Sequence, residues 1–100
     1  MRLWIDRSTI DEIADLPGHI RQRLRRAINT LIQNPRPDQS KALTIPDELR
    51  APHLEARRLR IDHWRVLYVI DTDLEQISIL AVRRRPPYDY DDLADLLDSR

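Results

Sequence analysis

Arginines crowd one stretch of this chain. Arg57, Arg58, Arg60 and Arg65 fall close together, and Arg83, Arg84 and Arg85 follow, with Tyr88 and Tyr90 just behind. Guanidinium groups grip phosphate oxygens as planar forks and keep their charge throughout the physiological range. Such a set attracts a polyanion, and neighbouring aromatic rings offer surfaces on which bases stack. The chemistry open to it is cleavage of an RNA phosphodiester, with the substrate's own 2′-hydroxyl as nucleophile. The protein then has to orient the chain, stabilise charge on the phosphorane and handle protons at two oxygens. Arginine supplies the electrostatic part but cannot easily act as a base, its pKa lying above ~12. Tyr88 or Tyr90 can exchange protons.

Other chemistries find fewer residues. Gly18 is the only glycine, so there is no glycine-rich phosphate loop. His19, His53 and His63 lack metal-ligand spacing and read as surface or turn residues. His63 stands beside the arginines, which leaves it a candidate acid or base. With no cysteine, disulfides and thiolate metal sites are excluded. Neither a metal nor a small-molecule cofactor is expected.

The net charge of zero conceals a division. Residues 89–100 carry five aspartates and one arginine, so the rest of the chain is basic. Sixteen of the seventeen basic residues are arginine, a preference that a GC-rich coding bias would also produce. The length of 100 residues suits a single domain, 1–100, with one small core. The opening Met1-Arg2-Leu3-Trp4-Ile5-Asp6 does not resemble a signal peptide, and no stretch is long and apolar enough to span a bilayer. A cytoplasmic protein without membrane partners is expected.

Secondary-structure signals say what positions the arginines. Residues 2–6 read as a strand with Leu3 and Ile5 on one face and Trp4 on the other. Ser8, followed by Asp11 and Glu12, predicts an N-capped helix carrying Ile10, Ile13, Ala14 and Leu16, ended by Pro17-Gly18. Ile20, Leu24, Ala27, Ile28, Leu31 and Ile32 recur at the spacing of one helical face, and Asn34-Pro35 stops this second helix. Its Arg21, Arg23, Arg25 and Arg26 read as a solvated face, with a phosphate or partner surface as the alternative. Residues 36–53 read as irregular, pinned by Leu43, Ile45 and Leu49.

Three strand-like runs follow, at 57–61, 64–71 and 76–83. A two-residue turn at Asp62-His63 places Ile61 opposite Trp64 and Arg60 opposite Arg65. Alternation then gathers Arg58, Arg60 and Arg65 on one sheet face, with Leu67, Leu80 and Val82. Leu59, Ile61, Trp64, Val66, Tyr68 and Ile70 occupy the other, joined by Ile77, Ile79 and Ala81, for the helices to cover. Arg60 opposite Arg65 is unfavourable unless something offsets the repulsion, as a bound phosphate would. Residues 89–100 predict a short amphipathic helix with Leu93, Leu96 and Leu97 on one side. Its aspartates face solvent or fold over the basic face as a cover.

The strand-helix-helix start, the Asn34-Pro35 stop and the run from Arg58 through Trp64-Arg65-Val66-Leu67-Tyr68 to Asp71 resemble the RelE/ParE toxin superfamily. So does the Ile79-Leu80-Ala81-Val82 strand with its basic cluster and following tyrosine. The resemblance covers nearly the whole chain. It implies an α+β, RelE-like fold: an antiparallel sheet with an N-terminal helical pair on one face and a short C-terminal helix. It further implies the toxin of a type II toxin–antitoxin system, a ribosome-dependent endoribonuclease (mRNA interferase) that inhibits translation. The alternatives are a ParE-like inhibitor of DNA gyrase, or an inactive toxin fold that only binds an antitoxin. Expected partners are a cognate antitoxin, the ribosome and mRNA.

Carried across by motif, Arg60, Arg65 and Arg85 (Arg84 if the strand end shifts) with Tyr88 or Tyr90 are the implied catalytic set. Arg58 matches the motif as well, and Arg57, Arg58, Arg83 and Arg84 are the expected RNA contacts. The chain departs from the RelE pattern in its neutral charge and in having arginine where lysine is usual, which preserves charge but removes a general base.

Overall fold

The computed structural model describes residues 1–99, so Arg100, the last residue of the expected tail helix, lies outside the described residues. In chain order the elements are β1 (Arg2–Ile5), α1 (Arg7–Ala14), α2 (Gly18–Thr30), β2 (Ser40–Leu43), β3 (Leu54–Ile61), β4 (Trp64–Asp71), β5 (Gln76–Arg84) and α3 (Leu93–Asp98). A 3-10 turn, Asp47–Leu49, lies between β2 and β3. The five strands form one sheet in the order β1-β5-β4-β3-β2.

Strand β4 is the centre because its sequence is apolar on both sides. Every residue from Val66 to Asp71 is buried, which an antiparallel strand reaches only when both sheet faces are covered. On one face α1 and α2 bury Ile13, Leu24, Ile28 and Leu31 against Leu59, Val66, Tyr68, Ile70, Ile77 and Ile79. On the other, α3 lays Leu93 and Leu97 against Ala56, Leu67 and Val69, with Ile45 beside them. The α2 stripe is as expected, although the helix ends at Thr30 and Ile32 falls in the turn beyond. Leu43, Ile45 and Leu49 are the expected anchors, and all three join the second core.

The β3–β4 register is also as expected: Arg60 pairs with Arg65 and Ile61 with Trp64. Asp62 makes the turn at φ 52°, a left-handed conformation that Asp tolerates better than most residues. Leu3 and Ile5 pack on the helix-side core, leaving Trp4 exposed on the opposite face.

Four local expectations need correction. The sheet is mixed, because β1 runs parallel to β5 with Leu3 opposite Ile77. Parallel neighbours need a long crossover, and here both helices and three strands intervene. The 36–53 segment contains β2, whose Ser40 pairs with Leu59 and Lys41 with Arg58. Its sequence, Ser-Lys-Ala-Leu, lacks a strand signal, and the ladder with β3 is what extends it. In β5 the pairing steps from Leu67–Ala81 to Tyr68–Ile79, so Leu80 is an extra residue. Such a bulge reverses side-chain parity beyond it. Val82 therefore joins the helix-side core and Ala81 turns to the opposite face, the reverse of the simple alternation.

Finally, α1 starts at Arg7 with Asp6 as its N-cap residue, and the Ser8 hydroxyl donates to the Asp6 carboxylate instead of capping the helix. Ile10, one of the apolar residues at helical spacing in α1, is exposed.

Candidate active site

The pairings place three arginines in one row. Arg60 of β3 faces Arg65 of β4, which faces Arg83 of β5, at the hairpin end of the sheet. Val66 and Val82, the next pair along, point to the helices. Alternation therefore turns Arg65 and Arg83 to the other face, the one α3 partly covers. Arg58 stands in the following row on that face, between Lys41 and Leu67. The bulge at Leu80 is what brings Arg83 into the row: without it, Arg83 would point towards the helices.

Each arginine is held differently. Arg65 Nη1 donates to the carbonyl oxygens of Asp62 and Trp64, at 2.9 Å each. Backbone dipoles thus offset part of the repulsion from Arg60 and leave the rest of the guanidinium available. Arg83 reaches Glu12 of α1 at 3.2 Å and Asp92 at 3.6 Å, and its guanidinium carbon lies 6.0 Å from the Tyr88 ring centroid. Arg85 lies over the Tyr90 ring at 5.0 Å. Stacking of this kind is the usual contact between guanidinium and aromatic face.

The two tyrosines differ in their hydroxyls. They meet edge to face, with centroids 4.8 Å apart. Tyr88 donates its hydroxyl proton to the Asp92 carboxylate. Burial, reinforced by that acceptor, pushes the Tyr88 pKa well above the ordinary tyrosine value. In this arrangement Tyr88 is a proton donor and not a phenolate base. The Tyr90 hydroxyl is buried and finds no hydrogen-bond partner among the described residues, while its backbone sits at φ 69°. The two hydroxyls thus differ in surroundings: that of Tyr88 is engaged with Asp92, and the Tyr90 ring packs under Arg85.

Two expected RNA contacts lie elsewhere. Arg57 pairs with Tyr68, whose ring belongs to the helix-side core, so it points away from the arginine row. Its guanidinium is bonded to Glu55 at 2.6 Å and to the Ser40 hydroxyl at 2.9 Å, with the side chain 14% exposed. Glu55 also accepts from Arg36 at 2.8 Å. Arg57 thus ties β2 to β3, which follows from strand alternation once the Arg58 face is known. Arg84 pairs with Trp64, again on the helix side of the ladder, and is exposed. Among the described residues, no group of three or more His, Asp or Glu side chains converges to hold a metal ion. His63 is an exposed turn residue whose carbonyl accepts from the Arg85 backbone at 2.7 Å.

The Glu55 pairing has a measurable consequence. Arg36 above all, and then Arg57, hold its carboxyl below the ordinary glutamate value. A depressed folded-state pKa adds stability above the unfolded-state value and loses it as pH falls through the folded-state one. Glu55→Gln should be less stable than wild type by about 1 kcal/mol near neutral pH. The gap should close on acidification below the carboxylate range. Urea midpoints at both pH values check this, and a gap independent of pH would contradict it.

Asp92 is the residue that sequence reasoning missed. It stands four residues after Tyr88, and the acidic tail is the only trace of it in the sequence. The tail meets the arginine row through the Asp92–Arg83 contact, while Leu93 and Leu97 pack on the apolar part of the same face. No helix among the described residues is long and apolar enough to cross a membrane.

Solved structures share this architecture. The archaeal RelE–RelB complex from Pyrococcus horikoshii OT3 matches with a TM-score of 0.74 and 21% identity, over 87% of this chain and 97% of that one. An arginine double mutant of the E. coli RelE toxin in its free state matches with a TM-score of 0.62 and 15% identity, over 99% and 95%. The intact E. coli RelBE toxin–antitoxin complex gives 0.60 and 19%, over 83% and 94%. No curated protein matches the chain. The family model for the ParE toxin of the type II toxin–antitoxin system parDE matches residues 5–86. With that match across most of its length and the RelE fold throughout, the chain belongs to the RelE/ParE superfamily of type II toxins.

Proposed function

We propose that this toxin is an mRNA endonuclease acting on the ribosome and restrained by a cognate antitoxin. The observation that carries the reading is the Arg60–Arg65–Arg83 row, whose Arg83 lies over the Tyr88 ring. Three cations across neighbouring strands repel one another, and a phosphorane with developing negative charge is the ligand that offsets this most fully. In the proposed reaction the RNA 2′-oxygen attacks phosphorus and the bond to the 5′-oxygen breaks. The products are a 2′,3′-cyclic phosphate and a 5′-hydroxyl.

Arg60, Arg65 and Arg83 hold the non-bridging oxygens, and Tyr88 gives its proton to the leaving 5′-oxygen. Arg58 and Arg85 contact the flanking backbone, and Tyr90 keeps Arg85 in place. The row itself contains no lysine: the chain's one lysine, Lys41, stands on β2 opposite Arg58, outside the row. The 2′-hydroxyl therefore loses its proton to water, to a ribosomal group or to His63. Antitoxin binding is supported by the RelE–RelB and RelBE complexes among the similar structures.

Induced expression in bacteria, followed by primer extension on a reporter mRNA, tests this reading. Growth arrest with cuts at fixed codon positions is expected. Arrest with intact mRNA and trapped gyrase would favour the second reading, a gyrase inhibitor, which the ParE family match supports.

The tail contact predicts a gain of binding. In Asp92→Asn the carboxylate that competes with phosphate for Arg83 becomes neutral. Affinity for single-stranded RNA should rise about threefold to tenfold at low salt, within the range a partly exposed ion pair can supply. Fluorescence anisotropy measures it, and an unchanged affinity would count against the tail as a cover.

A further inference from the structure

A groove of about 790 Å³ opens along the β2–β3 edge, between that edge and α2, and Arg58 and Arg60 line it as well as the face that carries the arginine row. Five cations and two carboxylates lie along it. One cation, Arg23, is already paired with Asp62 at the hairpin turn. Arg26 and Lys41 form no ion pair or side-chain hydrogen bond among the described residues, and both are exposed. Arg58 is likewise unpaired, and Asp38 is the remaining acid.

Cations from α2, β2 and β3, far apart in sequence, thus converge where the sheet edge is open. Arg60 donates its backbone N–H to Gln39, just before β2 begins, so the wall of the groove continues past the end of that strand. No aromatic residue lines the groove, which suits it to phosphates and gives it nothing on which bases could stack.

We propose that this groove is a second RNA-backbone site. The strand leaving the arginine row passes Arg60 and Arg58, and Arg26 and Lys41 hold phosphates flanking the scissile one. The contacts are to phosphate, so they add affinity without preference for base. This inference rests on the row being the RNA site.

The test uses the full chain and uncleavable 2′-O-methyl oligonucleotides, one short and one long, about three and about nine nucleotides. In Arg26→Gln/Lys41→Gln, affinity for the long strand should fall about tenfold and its salt dependence should weaken by about 1.4 in slope, while the short strand binds as before. Scrambling the long strand should not alter the loss. In Arg65→Gln both lengths should bind more weakly.

An undiminished long-strand affinity in the double variant would overturn the groove while Arg65→Gln still reported on the row. Equal losses on both lengths would overturn it as well. Loss of binding to mRNA-free ribosomes alone, with oligonucleotide affinities intact, would reassign the groove to ribosomal RNA and overturn the proposal. Retained binding of both lengths in Arg65→Gln would remove the row and, with it, the groove as the site flanking it, even if the double variant lost affinity. A wild type that binds neither strand would remove both.

Discussion

Arg65→Ala is expected to lower the rate of mRNA cleavage by about 10²–10³-fold, the usual cost of removing one positioned donor from a charge-stabilising site. Arg65 is the middle member of the Arg60–Arg65–Arg83 row, so a phosphate seated there meets it whichever neighbour it also touches. It is also the member whose orientation the fold fixes most directly, through the carbonyl oxygens of Asp62 and Trp64. No carboxylate pairs with it among the described residues, whereas Arg83 meets Glu12 and Asp92.

Because no buried charge is left without a partner, the fold should tolerate the change. Arg65→Lys should recover only part of the rate, since an ammonium keeps the charge but loses the planar fork. Single-turnover cleavage on programmed ribosomes separates these effects from expression level, and folding is checked by urea midpoint. Wild-type rates in folded Arg65→Ala would remove the row from the mechanism.

The largest expected effect on stability is at Tyr68. Its side chain is fully buried in the central strand, and its hydroxyl donates to the Pro35 carbonyl at 2.6 Å. This bond ties the sheet to the segment leaving α2. Tyr68→Ala opens a cavity and strands that carbonyl, at a cost of about 3–5 kcal/mol. For a domain of this size that is a large share of a total stability of about 5–15 kcal/mol. Tyr68→Phe keeps the ring and loses only the hydrogen bond, at about 1 kcal/mol. The ratio of the two, measured by chemical denaturation, separates packing from hydrogen bonding. A loss of equal size in both variants would show that the Pro35 contact, and not the ring, carries the contribution.

Cleavage and stability should separate at these two residues because the sheet has two differently used faces. The helix-side face holds Tyr68 and Arg57 and makes the core. The opposite face is apolar under α3 and cationic at the hairpin end. Arg57 and Arg58 are neighbours in sequence with opposite roles for this reason alone: successive strand residues point to opposite faces.

By itself the sequence determined the features that depend on near neighbours. The Asp62-His63 turn set the β3–β4 register, and with it the facing of Arg60 and Arg65. Helical spacing in α2 identified Leu24, Ile28 and Leu31 as core, and the motifs led to the superfamily. Only the tertiary structure decided what depends on partners distant in the chain. β2 becomes a strand because β3 presents an open edge, and β1 runs parallel to β5 because of the route of the crossover.

The bulge at Leu80 appears only when β5 is laid against β4, and it moves Arg83 into the row and Val82 into the core. The different surroundings of the two tyrosines have the same origin. Two residues apart and chemically identical, they are distinguished by where the tail folds: Asp92 meets Tyr88, while the Tyr90 hydroxyl is enclosed without a partner among the described residues. Local sequence sets turn and helix geometry within a few residues, whereas these assignments rest on contacts between segments that meet only in the folded chain.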